Sequence, residues 1–315
     1  MVRVGVTGGA GFIGLGLARL LSGTHELVAI DNLSTGSAED AFDNGYKELR
    51  EVDVRDALGL RDSLSSVDAV VHLAAQTGVP ASVADPRNDM EVNVVGTVNL
   101  LEAARDIGIG SVVLASSAAP LGASAPPASE TVVPRPLSPY GASKLAVEAY
   151  AFAYAGSFNL STYTLRFSNV YGPWSYGKGS VVALWMRQLM QGQRLQINGD
   201  GSQTRDFVHV DDICAAVGRA LECTGPPGLY QLGTGVETSI LDLAHTMAEL
   251  FGISFDELVQ FAPPLPGEVP RSYCDISLAT SKLEWEPKRD MAEGLAETKA
   301  WFEENRSYWT NAPTS

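Results

Sequence analysis

The chain has 315 residues, 45% of them hydrophobic, which is enough to form one large core or two smaller ones. Its 22 Lys and Arg residues against 37 Asp and Glu residues give a formal net charge of −15, which argues against a nucleic-acid-binding protein because phosphates would be repelled. The chain's cysteines form no CxxC pair, so we expect buried thiols and a cytoplasmic setting; they are Cys214, Cys223 and Cys274. No apolar run approaches ~18 residues, so we expect no membrane span. Since the chain starts directly in a predicted strand, we expect no signal peptide.

A glycine-rich turn between a strand and a helix dominates the start of the chain. Val2 to Val6 reads as a short buried strand, residues 7–14 are TGGAGFIG, and the apolar residues up to Leu21 have helical spacing. Glycine lets a diphosphate touch the backbone, and the helix N-terminus offers free N–H groups. A glycine turn alone is also typical of ordinary tight turns, but the strand and helix beside this one favour a nucleotide site.

The next two predicted strands each end in an acid. Leu27 to Ile30 leads into Asp31, which can accept both hydrogen bonds of an adenosine ribose and would repel a 2′-phosphate. The sequence therefore favours NAD over NADP. Residues 51–56 read as a third strand and its exit, where Asp53 can bond an adenine amino group or cap the next helix.

Strands and helices continue to alternate. Residues 68–75 read as a strand ending in small residues, in which His72 is a packed histidine rather than a base. Residues 89–107 fit a long helix with Asn93 and Asn99 facing inward, and residues 111–117 fit another strand. This alternation predicts an α/β fold with a parallel, doubly wound sheet. Ligands bind beyond the carboxyl ends of such strands, where Gly8, Asp31, Ala74 and Ser117 should converge.

A tyrosine and a lysine four residues apart form the candidate catalytic pair. Tyr140 and Lys144 would share one helix face. Tyrosine is a weak base with an ordinary pKa near ~10, and we expect the ammonium to lower it. The pair could then remove a proton from a sugar hydroxyl as hydride leaves the same carbon, with Ser117 bonding the same oxygen. A lone YxxxK occurs in many amphipathic helices, but the nucleotide motifs favour catalysis.

The chain resembles the extended short-chain dehydrogenase/reductases, in particular the nucleotide-sugar epimerase/dehydratase group. The resemblance covers nearly the whole chain and rests on TGGAGFIG (7–14), DNLSTG (31–36), DVRD (53–56), HLAA (72–75), NVVGT (93–97), SS (116–117), YGASK (140–144), LRFSNVYGP (165–173), NGDGSQTRDFVHVDD (198–212) and PGEVPRSYCD (266–275). It implies a Rossmann domain over 1–170, with a returning segment near 209–221, and a smaller α/β domain over 171–315 that binds a nucleotide sugar.

The resemblance also assigns roles by position. Ser117, Tyr140 and Lys144 match the catalytic triad, and no metal is expected. The residues matching NAD contacts are Gly8, Gly11, Phe12, Ile13, Asp31, Asn32, Ser34, Gly36, Asp53, Val54, Leu73, Ala74, Ala75, Asn93, Ala115, Tyr140, Lys144 and Phe167. Those matching or proposed for substrate contacts are Ser117, Asn169, Lys178, Arg205, Glu268 and Ser272. Asn169 and Arg205 would bind the sugar diphosphate and Glu268 the nucleoside ribose, although Arg205 could instead form a local salt bridge.

The segment after the fifth strand discriminates between reactions. Family dehydratases carry an Asp-Glu pair there and decarboxylases a glutamate, whereas this chain has Ser116-Ser117-Ala118-Ala119. We therefore expect 4-epimerisation of a UDP-hexose, either UDP-glucose/UDP-galactose or the N-acetylated pair. A UDP-sugar acid such as UDP-glucuronate, another nucleotide sugar, a dehydratase, a one-way 4-ketoreductase and a non-catalytic NAD-sensing protein remain alternatives.

Several positions depart from the family pattern. Pro120-Leu121 replaces the usual Val-Tyr, and Leu265 stands where an arginine commonly clamps the diphosphate. Ser272 falls at the position whose size gates an acetamido group, and a serine there should admit N-acetylated sugars. The Arg-Pro-Asp that a sugar-acid enzyme of this family would carry after YGPW is absent, which argues against a sugar acid as substrate. Lys178 keeps a sugar acid as an alternative.

The resemblance further implies a homodimer formed by the 90–106 and 140–156 helices of each copy. Elsewhere, the sequence predicts a helix over Val181 to Met190, a strand and turn over Leu195 to Gly201, and a helix over 238–251 with Thr238 as its N-cap. The polar tail after Trp301 should be frayed.

Overall fold

The structure is a computed structural model that describes residues 1–222, 225–264 and 269–310. Thirteen strands lie within these residues. They are β1 Arg3–Thr7, β2 Glu26–Asp31, β3 Glu48–Glu51, β4 Ala69–His72, β5 Ser111–Ser117, β6 Thr162–Phe167, β7 Asn169–Tyr171, β8 Leu195–Asn198, β9 Thr204–Arg205, β10 Phe207–His209, β11 Gly228–Leu232, β12 Thr238–Ser239 and β13 Val259–Ala262.

Seven of these strands form one parallel sheet in the order β11-β6-β5-β4-β1-β2-β3. The sequence prediction of a doubly wound parallel α/β sheet is confirmed. The strand order reverses at β1, which has β2 on one side and β4 on the other. At such a switch point the two connections leave in opposite directions and open a crevice beyond the carboxyl ends of the strands.

Fourteen helices accompany the described strands. They are α1 Phe12–Leu21, α2 Ala38–Asp43, α3 Ala57–Ser63, α4 Val79–Ala84, α5 Pro86–Met90, α6 Gly96–Ile107, α7 Pro139–Phe158, α8 Val181–Met190, α9 Val210–Leu221, α10 Ile240–Phe251, α11 Phe255–Leu258, α12 Ser277–Leu283, α13 Met291–Glu304 and α14 Arg306–Thr310. A π-helical turn, Glu91–Val95, joins α5 to α6, so the predicted 89–107 helix is continuous but not regular.

Two apolar cores cover the two faces of the sheet. One contains α1 and α9, represented by Leu17 and Ile213, and the other contains α3, α6 and α7, represented by Leu60, Leu100 and Val147. Since both faces are covered, β1, β2, β4 and β5 are mostly buried and read as largely apolar runs, whereas the edge strand β3 is partly exposed and carries three charged residues.

The second half of the chain contributes to both this sheet and a separate core. Helix α9 packs on α1, and β11, which begins at Gly228, extends the sheet beside β6. A third apolar core gathers α8, α10 and α13 around the small β8–β13 pair.

Two expectations about helix ends are wrong. Helix α10 begins at Ile240, and Ser239 is its N-cap, accepting a hydrogen bond from the Asp242 N–H. Thr238 instead pairs with Arg205 in the short β12–β9 ladder. The tail after Trp301 is not frayed up to residue 310: α14 packs there and buries Trp309.

Across the ranges 1–222, 225–264 and 269–310, no helix has the length and apolar character required to cross a membrane. Cys214 and Cys274 are buried free thiols, and burial raises the pKa of each well above its ordinary value. Cys223 lies outside the described residues.

Candidate active site

The glycine turn lies at the carboxyl end of β1 and packs on the chain that leaves β4. Gly8 has a φ of +72°, and a Cβ there would approach the Ala74 nitrogen to 2.7 Å. The Gly11 N–H donates to the Gly8 carbonyl at 3.1 Å, and α1 begins directly afterwards at Phe12 and Ile13. The first N–H groups of α1 have no partners within the helix, so they are available to an anion such as a dinucleotide diphosphate.

Asp31 ends β2 beside this turn. Its Oδ2 accepts the Ala10 N–H at 3.0 Å and its Oδ1 accepts the Leu33 N–H at 2.8 Å. Burial raises the pKa of Asp31, and these two backbone hydrogen bonds oppose the rise. An ionised carboxylate has about four acceptor positions, so the side chain can hold the turn and still accept hydrogen bonds from a ribose.

The loop after β2 folds back onto the glycine turn. A Cβ at Gly36 would come within 2.1 Å of the Ala10 carbonyl oxygen, so only glycine allows this approach. Asn32 accepts the Ser34 N–H at 3.2 Å and donates to Asp53 at 3.0 Å. The loop residues predicted to contact the adenosine ribose therefore lie against the residues predicted to bind the diphosphate.

Asp53 is already extensively hydrogen bonded. Arg55 contacts it through its backbone N–H, Nε and guanidinium NH2 at 2.7–2.9 Å, and Asn32 adds a further bond. The hydrogen bond from Arg55 is the main reason that the pKa of Asp53 lies far below its ordinary value. Asn99 holds the same loop by donating to the Val54 carbonyl at 3.0 Å. An adenine amino group would have to share this carboxylate with Arg55.

Small residues follow β4 in the chain, as the sequence predicted. The Leu73 N–H donates to the Thr7 carbonyl at 3.0 Å, and Ala74 and Ala75 follow. Asn93, in the π-helical turn, is buried, and its side-chain amide is hydrogen bonded within the protein. Its Oδ1 accepts the Gln76 N–H at 2.9 Å. Its Nδ2 faces the Gln76 carbonyl, Asp89 and Ser143 at 3.0–3.1 Å. Asn93 thus fixes the loop after β4 rather than presenting a free amide to a ligand.

His72 is a buried structural histidine, as predicted. Its Nδ1 lies 2.7 Å from the Thr7 hydroxyl and its Nε2 lies 3.1 Å from the Thr97 hydroxyl. Thr97 donates to the Asn93 carbonyl at 2.6 Å, so its oxygen must accept from Nε2–H. Burial lowers the pKa of His72 to about 3, and the neutral ring links β1, β4 and α6.

The three candidate catalytic residues come from β5 and α7. Ser117 is the last residue of β5, opposite Phe167 of β6. Helix α7 starts at Pro139 because the Ser138 hydroxyl accepts the Gly141 N–H at 3.1 Å. This places Tyr140 in the first turn, where the Ser117 side chain is near enough to act on the pKa of the phenol. The structure therefore brings Ser117, Tyr140 and Lys144 to the same edge of the sheet.

The electrostatics of this pair differ from the sequence expectation. Lys144 is buried and its Nζ donates to the Ala115 carbonyl at 2.9 Å. Burial lowers the pKa of Lys144 to about 8. Burial also raises the pKa of Tyr140, and only the interaction with the Ser117 side chain opposes this. We expected the ammonium to lower the pKa of Tyr140, and this was wrong because desolvation of the phenolate dominates.

A buried ion pair adjoining this site was missed by sequence reasoning. Arg166 donates to Glu148 through Nε at 2.7 Å and NH2 at 2.6 Å, and the Ser116 hydroxyl donates to the same carboxylate at 2.6 Å. The two charged side chains are only 2% and 4% exposed. Glu148 follows Lys144 by one helical turn, so the pair ties β5, β6 and α7 together. A second missed carboxylate, Asp89, is buried and acts electrostatically on both Tyr140 and Lys144.

The candidate diphosphate residues line a cavity of about 230 Å³ between β7, α8 and β9. Asn169 and Arg205 face it, together with the side-chain amides of Gln196, Asn198 and Gln203. Arg205 donates to the Thr204 and Val269 carbonyls at 2.7 and 2.8 Å. The amides were not anticipated, because polar residues in a strand and turn have no distinctive spacing.

The acid next to Arg205 in the sequence has other partners. Asp206 is buried and accepts the Thr234 N–H and hydroxyl at 2.7 Å and the Gly235 N–H at 3.1 Å. Its carboxylate therefore holds the turn after β11.

Ser272 lines a second, smaller pocket, apart from this cavity. Its neighbours there include Ala118 and Leu121, which follow Ser117, and also Ser168. Ser272 therefore lies on the catalytic side, close to the position where Leu121 departs from the family pattern. Glu268 and Leu265, for which a ribose contact and a lost clamp were expected, lie outside the described residues.

Lys178 lies between the cofactor and substrate regions. Its Nζ donates to the Val170 carbonyl at 2.9 Å and lies 5.3 Å from the centre of the Phe12 ring. Burial lowers the pKa of Lys178 to about 8. The ammonium thus sits against the first residue of α1, next to the glycine turn.

One cluster has the composition of a metal site. His209, Asp211 and Glu297 offer ligand atoms within 4.8 Å of one another. However, Arg19 lies 2.5 Å from Asp211, and Arg289 lies 3.2 Å from Glu297. Since both acids already have cationic partners, we interpret this cluster as an ion-pair network that joins α1, α9 and α13.

Comparison with known proteins agrees with this geometry. Residues 4–233 match the model of the NAD dependent epimerase/dehydratase family. A protein named UDP-glucose 4-epimerase from Mycolicibacterium smegmatis is 40% identical over 311 residues, covering 96% of this chain and 98% of the relative. The solved structure of UDP-glucose 4-epimerase with UDP-glucose from Thermotoga maritima has a TM-score of 0.90 and 34% identity, covering 96% and 99% of the two chains. The Thermus thermophilus UDP-glucose 4-epimerase complex with NAD has a TM-score of 0.87 and 37% identity, with coverage of 96% and 99%.

The chain therefore belongs to the NAD-dependent epimerase/dehydratase family, and its cofactor is NAD. The glycine turn, the free N–H groups of α1 and Asp31 fit this dinucleotide, since they provide backbone donors for the diphosphate and a carboxylate for the ribose.

Proposed function

We propose that the protein is an NAD-dependent 4-epimerase of a UDP-hexose, and that its residues act as the sequence predicts. The observation that carries this proposal is the composition of the catalytic edge. Tyr140 and Lys144 lie beside Ser117, and the segment after Ser117 is Ala-Ala-Pro-Leu. A dehydratase needs an acid and a base there to expel water, and this segment supplies neither. Tyr140, Lys144 and Ser117 would need only to move a proton at one oxygen, while bound NAD would supply the hydride chemistry at the same carbon.

In this proposal Tyr140 takes the proton of the sugar 4-hydroxyl and later returns it. Ser117 donates to the same oxygen and holds it against the phenol. Gly8, Gly11 and Asp31 would hold NAD, which would supply the hydride acceptor and donor for C4 of the sugar. Lys144 follows Tyr140 by one helical turn, and its positive charge would offset part of the desolvation that raises the pKa of Tyr140.

The 4-keto sugar must rotate between hydride removal and hydride return so that its other face meets the cofactor. The protein should therefore hold the diphosphate firmly rather than the hexose ring. Arg205 and Asn169 line the 230 Å³ cavity at a distance from the small Ser272 pocket. We assign the diphosphate to Arg205 and Asn169, the pyrimidine base to the amides of the cavity, and the hexose to the region of Ala118 and Ser272. Guanidinium and amide donors suit phosphate oxygens and pyrimidine carbonyls respectively.

The homodimer predicted from the sequence also remains a proposal. Met90, Val95, Tyr150 and Phe152 are large apolar residues of the α5–α6 and α7 segments, and each is at least 40% exposed. Exposed apolar groups on adjoining helices are typical of an interface. We propose that a second copy covers them with the same helices, related by a twofold axis.

The experiment that tests the function is incubation of the purified protein, without added cofactor, with UDP-glucose and separately with UDP-N-acetylglucosamine. Proton NMR of the anomeric region would report the galacto epimer. The proposal predicts epimer formation with at least one sugar by the wild type and none by Tyr140→Phe with equal NAD content. Protein shown to contain NAD but inactive on both sugars would contradict it.

A further inference from the structure

The short helix α14 connects the two halves of the molecule. Trp309 is 3% exposed within the third apolar core, and its indole N–H donates to the Phe302 carbonyl at 2.8 Å. The neighbouring Tyr308 points the other way and donates its hydroxyl to Asp40 Oδ1 of α2. Residues 268 positions apart in the sequence are thereby joined, and the C-terminal helix reaches the NAD-binding half.

Three aromatic rings support Tyr308 in this position. Its ring lies 5.3 Å from Trp174, 5.4 Å from Tyr176 and 5.9 Å from Trp301, measured between ring centroids. Trp174 and Trp301 are themselves 5.0 Å apart. Aromatic pairs at these separations attract one another in tilted and edge-on arrangements. We call Trp174, Tyr176, Trp301 and Tyr308 the aromatic cluster; it fixes the direction of the Tyr308 hydroxyl.

Asp40 connects Tyr308 to the loop that precedes α2. The side chain is 5% exposed, and its second oxygen accepts the Ser37 hydroxyl at 2.7 Å. Ser37 in turn accepts the Asp40 N–H at 3.1 Å and so caps α2. Ser37 directly follows Gly36, the residue pressed against the Ala10 carbonyl of the glycine turn. Tyr308, Asp40 and Ser37 thus form a continuous hydrogen-bonded path to the cofactor loop.

We propose that Tyr308 and Asp40 are positioning residues for the cofactor, which hold the 34–36 loop closed over NAD and slow its release. This rests on the role proposed for Asn32, Ser34 and Gly36 as contacts of NAD. An enzyme that regenerates its NAD in every cycle gains from slow release, because it needs no exchange of cofactor. The C-terminal helix is then part of the NAD site, although it touches no predicted NAD contact.

Removing the Tyr308 hydroxyl leaves a buried oxygen of Asp40 without its donor. Such a loss should shift the equilibrium between the closed and open 34–36 loop toward the open form by roughly tenfold. Because the loop must open for NAD to leave, the change should appear in the rate of NAD release. The aromatic ring of phenylalanine keeps the aromatic cluster packed, so Tyr308→Phe isolates the hydrogen bond.

The test uses gel-filtered protein carrying its own NAD, diluted into ethanol and alcohol dehydrogenase so that released NAD is reduced and absorbs at a new wavelength. We expect Tyr308→Phe to release NAD roughly tenfold faster than the wild type. Thr310→Val is the matched control, because the Thr310 hydroxyl donates to the Arg306 carbonyl of the same helix. Its release rate should equal that of the wild type.

Asp40→Ala and the double variant complete the cycle. If the two residues act as one contact, the double variant releases NAD no faster than Asp40→Ala alone. UDP affinity, measured by calorimetry, should stay unchanged in Tyr308→Phe, which distinguishes positioning of NAD from general loosening.

An unchanged release rate in Tyr308→Phe, or an equal weakening of UDP binding, would overturn the inference. Neither readout depends on turnover, so an enzyme that holds NAD but fails to epimerise would refute the proposed function and leave this test intact.

Discussion

The buried Arg166–Glu148 pair allows a quantitative prediction about both stability and catalysis. Glu148→Gln keeps the side-chain volume but leaves the Arg166 guanidinium charged, buried and without its carboxylate. The wild-type pair has three short hydrogen bonds at 2.6–2.7 Å, counting Ser116, and Arg166 NH1 has no partner among the described residues. Breaking a buried ion pair on one side typically costs about 3–5 kcal/mol.

The expected loss is large compared with the stability of a domain, which is about 5–15 kcal/mol. Urea unfolding followed by fluorescence would measure it. The matched control is Glu303→Gln, which breaks the exposed helical pair with Lys299 at 3.4 Å and should cost less than about 0.5 kcal/mol. Replacing both partners, as Glu148→Leu with Arg166→Met, should restore stability to within about 2 kcal/mol of the wild type.

The double variant also tests positioning. Without the pair, β5 and α7 lose the contact that sets Ser117 relative to Tyr140 and Lys144, so kcat should fall while NAD content stays unchanged. The reasoning is refuted if Glu148→Gln costs no more than Glu303→Gln, since the charge would then be solvated. It is equally refuted if the stable double variant keeps full kcat.

Three further predictions concern specificity, pH and assembly. Ser272→Tyr should abolish turnover of UDP-N-acetylhexosamine and spare UDP-glucose, in a side-by-side NMR assay; equal rates on the acetylated sugar would exclude Ser272 as the size gate. Burial lowers the pKa of Lys144 to about 8, so from that pH to the ordinary value of 10.5 the unfolded chain binds a proton that the folded protein lacks. The free energy of unfolding should therefore rise with pH in this window, by less in Lys144→Met than in the wild type, and identical slopes in urea titrations would contradict the assignment. Phe152→Glu places a charge in the proposed twofold interface and should give monomers by light scattering, and a dimer of unchanged affinity would place the interface elsewhere.

Local patterns in the sequence predicted much of the fold. Strand β5 and helix α8 have the predicted bounds because each is a single run with one clear period. The family membership and NAD followed from motifs at strand ends, where the parallel sheet brings Gly8, Asp31 and Ser117 to one edge.

Long-range pairing could not be predicted in the same way. Arg166 is the one charged residue of the buried strand β6, and its partner Glu148 looks like a surface residue of α7 until the two elements pack. The contact of Tyr308 with Asp40 joins the ends of the chain, and neither residue has a local pattern that marks it. Hydrophobic periodicity indicates which face is buried but not which polar groups meet there.

The pKa of Tyr140 shows a further limit of sequence reasoning. The spacing of Tyr140 and Lys144 indicates proximity, but burial acts on both groups and opposes ionisation of each. Desolvation depends on the packing of α7 against β5, which no spacing rule contains. The sign of the shift was therefore available only from the folded structure.

The central claim is that hydride leaves C4 and returns to the same carbon without exchange with water. The most direct measurement is conversion of UDP-[4-²H]glucose in ordinary water by the protein with its own NAD, followed by NMR of the UDP-galactose formed. The proposal predicts that the product keeps deuterium at C4. UDP-galactose carrying ¹H at C4 would show that a solvent-exchangeable proton had moved instead, and would contradict the role given to Tyr140, Lys144 and NAD.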